Sequence, residues 1–113
     1  MSGGSTEMIK PFHRNFPVVL VLKRISTLGE NETEHQQDLY DFFQLARQGH
    51  IPERRFYQDL GRLAAYGLVH KSRSYGDNAG VFYGPAVKPE EISVKKVRVA
   101  VQVHFSRREV QRQ

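Results

Sequence analysis

The sequence predicts an α+β domain of three helices followed by a β-hairpin and one additional C-terminal strand. Three observations predict it. Apolar residues recur at helical spacing in three successive segments before Gly67. A turn-rich pentapeptide, Gly76-Asp77-Asn78-Ala79-Gly80, then separates two short stretches of strand character. Finally, Val97, Val99, Val101, Val103 and Phe105 alternate with Arg98, Ala100, Gln102 and His104, the period-two pattern of a strand with one buried face. A chain of 113 residues fits one domain carrying these elements.

The elements follow in order. Met1 to Thr6 is small and polar, and residues 1–13 are expected to form a flexible N-terminal tail ahead of a domain spanning 14–105. Pro17 suits the first turn of a helix, where a missing N–H costs nothing. Val18, Leu22, Ile25 and Leu28 then share one stripe and Gly29 supplies a stop. Because Val18 to Leu22 is apolar all round, a buried strand start is the alternative there. Thr33 is placed to cap a second helix, in which Leu39, Phe42, Phe43 and Ala46 sit at i, i+3, i+4 and i+7. Gly49-His50-Ile51 makes a tight turn. A third helix over 52–66 opens at Pro52 and turns Phe56, Leu60, Leu63 and Ala64 inward. At 100° per residue, Arg54, Arg55, Gln58, Gly61, Arg62 and Ala65 fall on its other side. Gly67 ends it, Val69 to Tyr75 and Val81 to Gly84 form the hairpin, and residues 106–113 are expected to be a basic tail.

Charge is distributed unevenly. The formal net charge is +5, yet residues 30–47 carry Glu30, Glu32, Glu34, Asp38 and Asp41 against the single cation Arg47. Residues 95–113 carry Lys95, Lys96, Arg98, Arg107, Arg108 and Arg112 against the single acid Glu109. A basic domain attracts polyanions. An acidic second helix with basic later segments implies one face for a polyanion and another turned away from it.

Several function classes are excluded as expectations. There are no cysteines, so disulfides and thiolate metal sites are ruled out. No apolar run reaches the roughly 18 residues of a membrane span, and no small-residue cleavage site follows Pro17 to Leu22. A cytoplasmic location, nucleoid-associated in a prokaryote, is therefore expected. His13, His35, His50, His70 and His104 lack the helical i, i+4 pairing of a zinc helix, so no metal is expected. There is no phosphate loop ending in Lys-Ser/Thr and no Gly-x-Ser-x-Gly elbow. Glu90-Glu91 and the Glu30 to Glu34 cluster sit in solvated loops, where a carboxylate pair is not tuned for acid–base work. Neither an enzyme activity nor a cofactor is expected.

The order helix, helix, turn, helix, hairpin is that of a winged helix-turn-helix. The segment Tyr57-Gln58-Asp59-Leu60-Gly61-Arg62-Leu63-Ala64-Ala65-Tyr66-Gly67-Leu68-Val69 resembles MarR-like and PadR-like regulators. There, a recognition helix with two spaced leucines (here Leu60 and Leu63) ends at Gly and passes into the first wing strand through Leu-Val. The resemblance spans residues 34–84 and departs from the pattern in Pro52 and in the long final strand. It implies a transcriptional regulator that reads DNA.

The residues support that expectation independently. A helix fits the B-DNA major groove; Arg grips guanine bidentately and Gln grips adenine. Arg54, Arg55, Gln58 and Arg62 are the expected base-reading set, with Gly61 and Ala65 small enough for close approach. Lys71, Arg73 and Tyr75 alternate along the first hairpin strand, where two cations would neutralise flanking phosphates. Asn78, at the tip, would reach a minor groove. For each of these an ordinary solvated surface is the alternative, and Tyr75 and Tyr83 leave an RNA-stacking sheet open. A homodimer is expected, either by pairing of residues 97–105 between two copies or through the first helix. Double-stranded DNA is thus the expected partner. A protein–protein interaction module of the same fold, or a replication or plasmid-maintenance factor, is the alternative.

Overall fold

The computed structural model describes residues 9–47 and 51–112. Gly49 and His50 of the expected turn, and the polar start Met1 to Thr6, lie outside the described residues. The architecture is α+β. Among the described residues there are four α-helices and one three-stranded antiparallel sheet.

Helix α1 spans Val18–Ser26 with Pro17 at its N-cap. The Val21 N–H donates to the Pro17 carbonyl at 2.8 Å. Val18, Val21, Leu22 and Ile25 are buried at i, i+3, i+4 and i+7, while Leu20 points out, which resolves the helix-or-strand alternative in favour of helix. Strand β1, Glu34–His35, is too short to leave a periodic trace in the sequence. Helix α2, Gln36–Arg47, follows at once. Its start is tied down not by Thr33 but by His35, whose Nδ1 accepts the Gln37 N–H at 3.0 Å. Leu39 and Phe43 are its buried face.

Helix α3 spans Glu53–Ala65, with Pro52 as N-cap and Phe56, Leu60 and Leu63 buried. Gly67 stops it as expected: it adopts φ +78°, and the Leu68 N–H turns back to the Leu63 carbonyl at 2.9 Å. Strands β2, Val69–Ser74, and β3, Gly80–Pro85, form the hairpin, and β1 adds to the other edge of β3, giving the order β1-β3-β2. Lys71 faces Tyr83 and Arg73 faces Val81 across the hairpin.

The core lies between the helices and the inner face of this sheet. Phe56 is its centre, with ring centroids of Phe16 at 5.2 Å, Tyr40 at 5.4 Å and Phe43 at 6.3 Å. Ile9 and Phe12 are buried in the same cluster, and Phe12 stacks on Phe16 at 5.5 Å. The packed domain therefore includes residues 9–13, ahead of the boundary expected at residue 14.

The additional C-terminal strand is not formed. Residues 97–105 are the middle of helix α4, Val94–Arg112, which also runs through the expected basic tail. The alternation that reads as a strand also satisfies a helix: Val97, Ala100, Val101 and His104 fall at i, i+3, i+4 and i+7. Val97 is completely buried, and the other three are half-buried. Tyr66 receives the His104 ring at 4.9 Å, and Ser93 Oγ accepts the Lys96 N–H at 3.1 Å as a cap. Packing of that face outweighs the β preference of valine, which is strongly dependent on context. Strand-to-strand pairing of residues 97–105 between two copies is lost with the strand.

Candidate nucleic-acid interface

Eight residues carry the sequence expectation, and the structure sorts them into groups. Arg54 and Gln58 are exposed on α3, in line with Gly61 and with exposed Ala65. Taking 100° per residue, these four lie within a strip about 60° wide, opposite buried Phe56 and Leu63. Two of its four members are Gly and Ala, so the helix's own side chains leave the middle of the strip low.

Arg55 and Arg62 are set off to one flank. Both turn toward Asp59, whose side chain is 0 % exposed. Arg62 Nη1 donates to Asp59 Oδ1 at 2.6 Å, and Arg55 Nε donates to Oδ2 at 3.4 Å. The His13 N–H donates to Oδ2 at 3.0 Å, and Arg55 Nη2 donates to the Pro11 carbonyl at 2.8 Å. A buried carboxylate is tolerated only with such partners. The N-terminal segment, α3 and two guanidinium groups are thereby fastened at one point. Each arginine side chain keeps 33 % of its surface exposed.

The hairpin supplies the second cationic element. Alternation places Val69, Lys71 and Arg73 on the face that carries buried Val81 and Tyr83. Lys71 consequently leans toward α3: its Nζ lies 3.9 Å from where a Cβ on Gly61 would stand. Arg73 is close enough to Tyr83 to oppose the upward push that burial exerts on that phenol's pKa. Tyr75 lies beyond the end of β2 and is 81 % exposed. Asn78 is not brought to this surface. It lines a recess on the opposite side of the sheet with Ser72, Ser74, His35, Asp38 and Asp77. Lys71 and Arg73 thus lie on one side of the sheet, while Asp77 of the turn and Asp38 of α2 line the other.

Asp59 is the site residue that the sequence reading missed. Its signal is present in the spacing, because Arg55, Asp59 and Arg62 stand at i, i+4 and i+7, where opposite charges meet on a helix. A wheel drawn only for apolar residues leaves it on the border. Among the described residues no group of three His, Asp or Glu stands together as a metal site, and no helix is long and apolar enough to cross a membrane. No family model, curated protein or solved structure matches the chain.

Proposed function

We propose that the chain is a winged-helix protein that binds double-stranded DNA in a sequence-dependent way and acts as a transcriptional regulator. In this reading α3 enters the major groove and the β2–β3 hairpin is the wing. Arg54 and Gln58 face base edges, Arg55 and Arg62 stand beside them, and Lys71 and Arg73 contact phosphates. The observation that carries the reading is the approach of Lys71 to Gly61, which joins helix and hairpin into one cationic surface. Small residues line the middle of that surface, and the acidic groups Asp38 and Asp77 lie behind the sheet. Tyr75 and Asn78 have no part in it.

A homodimer belongs to the same reading, since two α3 helices one helical turn apart would address an inverted repeat. Exposed Val99, Val103 and Phe105 on α4, Leu20 on α1, and Phe42 and Leu45 on α2 are among the apolar residues available for it. Selection of bound duplexes from a random pool is the direct test. An enriched inverted repeat, bound by the wild type and not by an Arg54→Ala/Gln58→Ala double variant, supports the reading. Equal binding of the double variant and wild type removes α3 from the groove.

A further inference from the structure

Arg55 and Arg62 differ from Arg54 in a way that assigns them a different ligand group. On a helical wheel centred on the strip of Arg54, Gln58, Gly61 and Ala65, they lie about 70–90° to one side. Their guanidinium groups are not free to extend. Arg62 is held through Nη1 and Arg55 through both Nε and Nη2, on a carboxylate and a carbonyl beneath them. A base reader must reach outward to the floor of the groove, whereas these two are folded back along the helix flank. A helix seated in the major groove presents its flanks to the phosphates at the groove edge. The outward N–H groups left on the two forks match the oxygens of a phosphodiester.

Asp59 also sets the charge. Two guanidinium groups and one carboxylate leave a net single positive charge, which suits one monoanionic phosphodiester. We propose, resting on the DNA-binding reading above, that Arg55 and Arg62 form a preformed seat for a backbone phosphate. Asp59 is its positioning residue, and base discrimination is left to Arg54 and Gln58.

The test uses the full chain and its selected duplex, with affinity measured over a series of salt concentrations. Arg55→Ala and Arg62→Ala are expected to weaken selected and scrambled duplexes by the same factor. Each should reduce the slope of log affinity against log salt by about 0.9 for every phosphate that is no longer neutralised. Arg62→Lys, which keeps an ion pair with Asp59 within reach and protects the fold, should keep the slope and still lose affinity because the fork is gone. A change of base preference at one position in either alanine variant overturns the seat, as does unchanged affinity in both. If the wild type binds no duplex, the DNA-binding reading fails, and inorganic phosphate decides the seat alone. Phosphate-dependent shifts of the Arg55 and Arg62 Nε–H resonances, absent in Asp59→Asn, would sustain it, and their absence in the wild type would overturn it.

Discussion

Gly80 lies directly beneath the imidazole of His35, so close that a β-carbon on Gly80 would overlap the ring. The same imidazole meets the Phe82 ring edge-on at 5.0 Å and holds the first turn of α2 through the Gln37 amide. Hairpin, β1 and α2 are thus fitted together around one side chain, and Gly80 leaves room for it at φ +145°.

Gly80→Ala should therefore destabilise the protein by on the order of 2–4 kcal/mol, overlap and backbone strain acting together. Gly61→Ala should do the reverse. It sits in a helix with its nearest neighbour at 3.9 Å, so the methyl group is accommodated and helix propensity gains about 0.5–1 kcal/mol. Urea unfolding of the two variants checks both signs; a stabilised Gly80→Ala would refute the role given to His35.

Phe56→Ala should cost about 3–5 kcal/mol, since Phe56 is 1 % exposed and touches rings from α2, α3 and the segment before α1. A stability change under about 1 kcal/mol would mean that the core closes elsewhere.

Alkaline pH should destabilise the protein in a defined window. Burial, with opposition from Arg73, pushes the Tyr83 phenol up to about 12 from an ordinary value of 10.0. The folded state therefore keeps this proton after the unfolded chain has lost it. The associated stability is complete below pH 10 and disappears as pH rises toward 12. Tyr83→Phe should flatten that limb of the stability–pH curve, although Tyr57, also pushed up by burial and by its hydrogen bond to Glu53, will retain part of it. An unaltered limb in the variant would count against a buried Tyr83.

Val101→Pro tests the helical state of residues 97–105. Proline in a helix interior costs about 3 kcal/mol, and the variant should lose negative ellipticity at about 222 nm through disruption of α4. A strand at this position would show no such loss.

On the proposed DNA surface, Lys71→Ala should weaken all duplexes alike, and Gln58→Ala should relax preference at one base position. Competition binding with selected and scrambled duplexes distinguishes them. Matching profiles for the two variants would contradict the division of labour between helix and hairpin.

Much of this arrangement was legible in the residues themselves. Three helices, the Gly67 stop and the hairpin around Gly76 to Gly80 each carry a local signal: a 3.6-residue period, a positive φ, a cluster of turn formers. What escaped depends on distant partners. Strand β1 has two residues and exists because β3 lies beside it. The packing of Ile9 and Phe12 depends on α3, more than 40 positions along the chain, as the His13–Asp59 bond shows. Val97 to Phe105 fits either period, and only the body of the protein chooses between them. Arg55 and Arg62 read as free cations until Asp59 is placed beneath them.

The placement of Lys71 and Arg73 on one side of the sheet and Asp38 and Asp77 on the other has a kinetic consequence. These residues set up a local dipole across the sheet. If the chain binds DNA as proposed, that local dipole would feel a torque near the duplex and turn diffusing molecules before they touch. Within roughly 8 Å at physiological ionic strength, and farther in dilute buffer, encounters would be sorted by orientation. Adding salt would then slow arrival as well as loosen the hold.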